Sequence, residues 1–296
     1  MAAAAQAVVS AKWLADAIRN GLVGSRIRVL DSSWYTPATK RDAKAEFAER
    51  HIPGASFFDM VECSDQSSPY CFTLPASKHF ARYVGELGIS NDTHVVVYDA
   101  HEFGLYTSPR VWWMFRQFGH SSVSVLDGGL KHWLAEGRSV TSGEDAKPER
   151  KDFQVTANPA WVKTYEDVLE NISTKKVQVV DTRPAGRYRG LEPEPIEKTL
   201  PGHFPGAVNL PFTSFLDSSG RFLAKEDLSR KFKEAKLQLD QPLWATCSCG
   251  VTACFAILVA QLLGRQDVCL YDGSWSEWFE RAAPEHIISE GEGKKM

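Results

Sequence analysis

Among the six cysteines of the chain (Cys63, Cys71, Cys247, Cys249, Cys254 and Cys269), Cys247 stands where a thiol could do chemistry. It follows a short apolar run, Pro242 to Thr246, and leads into Ser248-Cys249-Gly250-Val251-Thr252 and then a long apolar stretch. A strand, a tight turn bearing glycine and a helix start aim successive backbone N–H groups at one point, which suits an anion. A free thiol titrates at about 8.5, so only a few per cent is thiolate at neutral pH and a nucleophilic cysteine needs that kind of support. Cys254 and Cys269 lie inside apolar runs and read as packing. Six cysteines without a CxxC spacing do not make a disulfide scaffold, and they point to a reducing compartment.

The elements that must position Cys247 emerge from an internal repeat. VLDSSWY at Val29 matches VVDTRPA at Val179, HIPGASFF at His51 matches HFPGAVNL at His203, and the run ending at Trp133 matches the run ending at Trp278. The matches keep their order at a nearly constant offset, so the chain is a tandem duplication. The first half is predicted to hold strands Ile27–Leu30, His94–Tyr98 and Ser122–Leu126. Its predicted helices are Ala11–Arg19, Asp42–Arg50, Lys78–Leu87, Pro109–Phe118 (with Ser108 as N-cap) and Leu130–Ala135. The second half repeats this with strands Val177–Val180, Pro242–Thr246 and Val268–Tyr271. Its helices are predicted at Tyr165–Asn171, Lys225–Lys236, Val251–Leu263 and Ser276–Arg281. Such alternation argues for an α/β fold, a parallel sheet flanked by helices in each half.

In open α/β sheets ligands bind beyond the carboxyl ends of the strands. The residues there are Asp31, Asp99, Asp127, Asp181, Cys247 and Asp272. Cys247 takes the place that Asp99 holds in the first half, so the chemistry belongs to the second. The expected division is a domain over 1–136, a polar linker over 137–160, a domain over 161–288 and a polar tail over 289–296. His51 and His203 sit at equivalent places although only one half has a nucleophile, which argues for a shared structural role rather than a general base.

The balance of 34 basic and 37 acidic residues gives no reason to expect nucleic acid or an anionic membrane as partner. No apolar run approaches the roughly 20 residues that span a bilayer. The start, MAAAAQAVVS, is short and lacks the basic flank of a secretory signal, and Lys12 and Arg19 alone make a poor transit peptide. No cluster of histidines and carboxylates has metal-ligand spacing.

ATCSCGVTAC, YDGSWSEWF, HFPGAVNLPF, SPRVWWMFRQFGH and RHIPGASFFD resemble the rhodanese superfamily in its tandem form, over almost the whole chain. The resemblance implies two rhodanese-like domains, the second one catalytic, with a persulfide on Cys247 and no metal or organic cofactor. It implies a small anionic sulfur donor, either thiosulfate or 3-mercaptopyruvate, and an acceptor that is cyanide, a thiol or a thioredoxin-like protein. It further implies a monomer, in the mitochondrial matrix or the cytoplasm. Arg187, in Gly186-Arg187-Tyr188, matches the arginine that binds substrate in the family. Ser248, Cys249, Gly250, Val251 and Thr252 would line the anion, whereas Arg183 and Arg189 read as ordinary charges.

The donor is less legible. Mercaptopyruvate enzymes follow the cysteine with Gly-Ser-Gly or Gly-Thr-Gly, and their serine–histidine–aspartate group maps to Cys249, Phe72 and Val61. The further arginine they carry maps to Ile196. Thiosulfate enzymes carry Arg-Lys where this chain has Ser248 and Cys249. Resemblance outside the site leans towards mercaptopyruvate. A cysteine phosphatase is a poor alternative, because Ala253 stands where its arginine belongs and Thr246 precedes the cysteine. A non-catalytic redox-sensing module is the rival of another class, supported by Cys249 two residues from Cys247.

Overall fold

The computed structural model describes residues 5–143, 148–196 and 198–293. In the first half, strands β1 (Val8–Val9), β2 (Ile27–Asp31), β3 (Ala55–Phe57), β4 (His94–Tyr98) and β5 (Val123–Leu126) form one sheet in the order β1-β5-β4-β2-β3. All its pairings are parallel. Helices α1 (Ala11–Arg19), α2 (Ala43–Glu49), α3 (Ser77–Glu86), α4 (Ser108–Gln117) and α5 (Gly129–Ala135) flank it. The second half repeats the pattern with β6 (Val162–Lys163), β7 (Gln178–Asp181), β8 (Ala207–Asn209), β9 (Leu243–Thr246) and β10 (Cys269–Tyr271), in the order β6-β10-β9-β7-β8. Its helices are α6 (Tyr165–Thr174), α7 (Ala185–Arg189), α8 (Lys225–Glu234), α9 (Ala253–Leu262) and α10 (Ser274–Arg281).

A purely parallel sheet needs both faces covered, which is why its strands are apolar throughout rather than alternating. Val95, Val96, Val97 and Tyr98 are all fully buried in β4. The helix beneath the cysteine turn obeys the same demand, since every residue of α9 from Ala253 to Ala260 is buried. Trp133 and Trp278 anchor the two cores, and each indole N–H donates to a carbonyl (Ser139 at 2.9 Å, His286 at 3.0 Å), so their burial leaves no polar atom unsatisfied.

Two compact units result. One comprises Met1–Gln66, Leu74–Asn158 and Leu216–Phe222; the other comprises Ser67–Thr73, Pro159–Phe215 and Leu223–Met296. Two short excursions thus belong to the unit opposite their place in the sequence. Residues 144–147 of the expected linker lie outside the described residues. Beyond them the chain is laid along the first unit, with the N–H groups of Lys151, Thr156 and Asn158 donating to Gly85, Phe118 and Gln117 carbonyls and Phe153 buried. In the expected tail, the Glu290 N–H donates to the Arg189 carbonyl and its carboxylate pairs with the Arg189 guanidinium at 2.6 Å.

His51 and His203 have matching surroundings. Each Nδ1 lies 2.8 Å from a carbonyl, of Phe47 and Tyr188 respectively, and each ring stacks on that residue's ring. Each also forms an antiparallel bridge, His51 with Thr141 and His203 with Ile288. Their role is structural in both halves.

Ser108 departs from its expected part. It is the first helical residue, Thr107 is the cap position, and the Ser108 hydroxyl donates to Asp99 at 2.8 Å. A buried carboxylate from the preceding strand end does the capping, so the serine oxygen is drawn to it. The helix expected from Val251 starts at Ala253, because Gly250 adopts a left-handed φ of 74° and the turn extends through Thr252.

Candidate active site

The strand order reverses between β7 and β9, and the crevice at that point of an α/β sheet is where ligands collect. Asp181 and Thr246, the last residues of the two strands, are paired in register. Two chain segments therefore leave the sheet side by side: 182–190, carrying the arginines, and 247–252, carrying the cysteine. The Thr182 N–H donates to the Thr246 carbonyl at 3.0 Å, and the hydroxyls of Thr182 and Thr252 lie 3.1 Å apart. Cys247, Ser248, Val251 and Thr252 are buried, and Cys249 is partly exposed.

The Cys247 N–H donates to the Ser274 hydroxyl at 3.2 Å, and that hydroxyl donates to the Tyr271 carbonyl at 2.8 Å. The Cys247 carbonyl accepts the Trp275 N–H at 2.9 Å. The next carbonyl, of Ser248, accepts both the N–H and the hydroxyl of Ser276, at 3.0 and 2.6 Å. The turn is thus fixed to the start of α10 on its outer side. On its inner side the N–H groups of Ser248, Val251, Thr252 and Ala253 have no acceptor among the described residues. Four donors at a turn and a helix N-terminus form an anion site of the expected kind.

The three arginines of the 183–189 segment separate cleanly. Arg183 is buried and binds Asp181, Glu194 at 2.8 Å and the Gly202 carbonyl at 2.5 Å, while its guanidinium lies 4.7 Å from the Trp275 ring centre. Burial opposes its charge, but Asp181 and Glu194 outweigh burial and hold its pKa above the ordinary arginine value. Arg189 pairs with Glu290 at the surface. Arg187, on α7 and half-buried, forms no ion pair or side-chain hydrogen bond among the described residues. Of the three it is the cation available to an incoming anion.

Two residues of the site were not read from the sequence. Ser274 occupies a left-handed backbone position (φ 51°) where the first half has Gly129 (φ 56°), a conformation that strains any residue but glycine. The signal was present in the repeat, as Asp127-Gly128-Gly129 against Asp272-Gly273-Ser274. The Glu194 side chain is fully buried and accepts from Arg183 and, at 2.7 Å, from the Ser248 hydroxyl. Nothing local in the sequence marks that pairing. Of the residues that the mercaptopyruvate triad would map to, Phe72 is buried at a left-handed φ of 60° and Val61 is exposed.

The description "Rhodanese-like domain" matches this chain twice, over residues 10–136 and 164–281. The chain is 53% identical to human 3-mercaptopyruvate sulfurtransferase over 98% of its own length and 97% of the relative's. It is 54% identical to the thiosulfate sulfurtransferase of Gallus gallus, covering 96% of this chain and 97% of that one. Among solved structures it resembles SseA from Escherichia coli, a 3-mercaptopyruvate sulfotransferase with the rhodanese fold, with a TM-score of 0.81 and 34% identity over 91% of this chain and 99% of the other. The chain belongs to the rhodanese family, as two such domains in tandem, and is a sulfurtransferase.

Proposed function

We propose that Cys247 is the nucleophile of a two-step sulfur transfer and carries the moving sulfur as a persulfide. The observation that carries this reading is an internal one. In the first unit the N–H groups of Tyr106, Thr107 and Ser108 and the Ser108 hydroxyl all donate to Asp99 Oδ2, at 2.8 to 3.0 Å. Their counterparts in the second unit are Val251, Thr252 and Ala253, whose N–H groups have no acceptor among the described residues. Asp99 corresponds to Cys247, and its oxygen lies two bonds beyond Cβ. The outer sulfur of a cysteine persulfide also lies two bonds beyond Cβ. A persulfide anion on Cys247 therefore suits the cradle that a carboxylate fills in the other half.

The chemistry balances in two halves. The Cys247 thiolate attacks the outer sulfur of the donor, forming the S–S bond of the persulfide. The bond from that sulfur to the donor breaks, and its electron pair leaves with sulfite, or with the enolate of pyruvate, which then takes a proton. An acceptor nucleophile, cyanide or a thiolate, attacks the outer sulfur, and the pair of the S–S bond returns to Cys247. The loop N–H groups hold the anionic sulfur, and Arg187 binds the charged end of the donor.

For the donor the reading is 3-mercaptopyruvate over thiosulfate. The relatives named for the two donors match almost equally, at 53% and 54% identity, and the support for one donor comes from the local charge. Ser248 and Cys249 add no cation to the turn, and the buried group Asp181–Arg183–Glu194 carries one more negative than positive formal charge. One free arginine suits a monoanion better than a dianion. Steady-state rates with both donors, at fixed cyanide and at fixed dithiol, test this. We expect kcat/KM to be about tenfold higher for 3-mercaptopyruvate, and a preference for thiosulfate overturns the donor assignment. The protein acts as a monomer on a thiol, thioredoxin-like or cyanide acceptor, in the mitochondrial matrix or cytoplasm. No helix of the described residues is long and apolar enough to cross a membrane.

A further inference from the structure

The segment that carries Arg187 closes on itself. Leu191 and Glu192 donate their N–H groups to the Gly186 carbonyl, at 2.8 and 3.1 Å, and Gly202 donates to the Arg187 carbonyl at 2.9 Å. Arg183 clasps the returning strand of this loop through the Gly202 carbonyl and Glu194. From inside the loop, Glu194 reaches across to the cysteine turn, where its second oxygen accepts the Ser248 hydroxyl at 2.7 Å.

We propose that the Ser248–Glu194 hydrogen bond is a latch that holds the Arg187 loop against the cysteine turn, making Ser248 and Glu194 positioning residues for the donor. The inference rests on the reading of Cys247 as nucleophile and Arg187 as donor ligand. Its support is the other half of the chain. There Ser33 stands for Arg183 and Ala100 for Ser248, and the Ser33 hydroxyl simply donates to Asp31 and accepts the Ala100 N–H at 2.8 Å. The Tyr35 hydroxyl also donates to the Ala100 carbonyl at 3.3 Å and meets the Arg41–Glu46 pair, so in that half a charged pair reaches the turn only through a neutral phenol and a backbone carbonyl. Fully buried ion pairs are weak contributors to stability, because desolvation offsets most of their attraction. A buried carboxylate bonded directly to a side chain of the turn occurs, among the described residues, in the half with the nucleophile, and it is better explained by what it aligns. Arg187 sits on the neck of the loop, so its place relative to the cysteine turn depends on the loop being docked, and a displaced cation weakens its bond to the charged end of the donor.

The test is the split between binding and chemistry in Ser248→Ala and Ser248→Thr, with the rate of Cys247 alkylation by iodoacetamide as a second readout. In Ser248→Ala we expect the donor KM to rise about tenfold with kcat within about twofold of the native value, and Ser248→Thr to restore KM to within about twofold. Alkylation of Cys247 should stay within about twofold in both variants. An unchanged KM in Ser248→Ala overturns the latch, as does an alkylation rate that falls in step with kcat/KM, which would mean that the turn itself has collapsed. Failure of Ser248→Thr to restore KM also overturns it. If the native chain acquires no sulfur on Cys247 from either donor, the functional reading fails first and the latch falls with it.

Discussion

The two halves of this chain present the same hydrogen-bonding frame and fill it differently. Ser32 N–H donates to the Tyr98 carbonyl as Thr182 N–H does to Thr246, and the Ser32 and Thr107 hydroxyls meet at 3.3 Å as those of Thr182 and Thr252 do at 3.1 Å. Leu130 N–H binds the Asp99 carbonyl as Trp275 N–H binds that of Cys247. Within that common frame the first half supplies its own anion, the Asp99 carboxylate, whereas the second offers a thiol and leaves its donors open. One half is a finished structure. The other is the same structure with a cysteine in place of its internal ligand.

A parallel difference appears one strand over. Asp31 and Asp181 end equivalent strands, but Asp181 lies against Arg183 whereas Asp31 accepts from the neutral groups of Ser33 and Tyr98. Burial raises the Asp31 pKa to about 6, against hydrogen bonds from Ser33 and Tyr98 that lower it. The second half pairs its buried charge, and the first half tolerates one that is easily neutralised.

Removing the internal anion breaks the comparison most severely. Asp99→Ala leaves the buried N–H groups of Thr107 and Ser108, the part-buried N–H of Tyr106 and the Ser108 hydroxyl without their acceptor. We expect about 4 kcal/mol of lost stability by urea denaturation, because unsatisfied buried donors bear their full desolvation cost. A loss below about 1 kcal/mol would mean that the carboxylate does not organise the first cradle.

The Asp31 contrast sharpens it further. A carboxyl whose folded pKa is about 6, against 3.8 when free, favours the native state below pH 4. That advantage is lost as pH rises through 6. Asp31→Asn should therefore gain on the native chain by up to about 3 kcal/mol between pH 4 and pH 7. Urea unfolding of both proteins across that range measures it, and a constant difference would contradict the assignment.

Much of this was legible beforehand. The duplication could be read because its motifs are rigid turns with fixed glycines and prolines, and Cys247 because a strand end has few alternatives in such a sheet. Three-residue strands such as Ala55–Phe57 and Ala207–Asn209 were missed, since their identity comes from pairing with β2 and β7 rather than from local pattern. Ser274 was hidden for the opposite reason. Its backbone conformation is one that sequence assigns to glycine, and only its hydroxyl under Cys247 explains the strain. The Ser248–Glu194 bridge spans 54 positions and involves residue types common on any surface, so no local rule could find it.

The central claim is that Cys247 carries sulfur in a cradle which Asp99 fills in the other half. Its most direct test is the intact mass of the native chain, Cys247→Ser and Cys247→Asp after exposure to 3-mercaptopyruvate without acceptor. The account predicts that the native chain gains one sulfur atom on the peptide containing Cys247 and loses it to cyanide. It predicts that neither variant gains any, and that Cys247→Asp remains folded with its carboxylate in the cradle. Sulfur retained by Cys247→Ser, or found on Cys249 in the native chain, would contradict it.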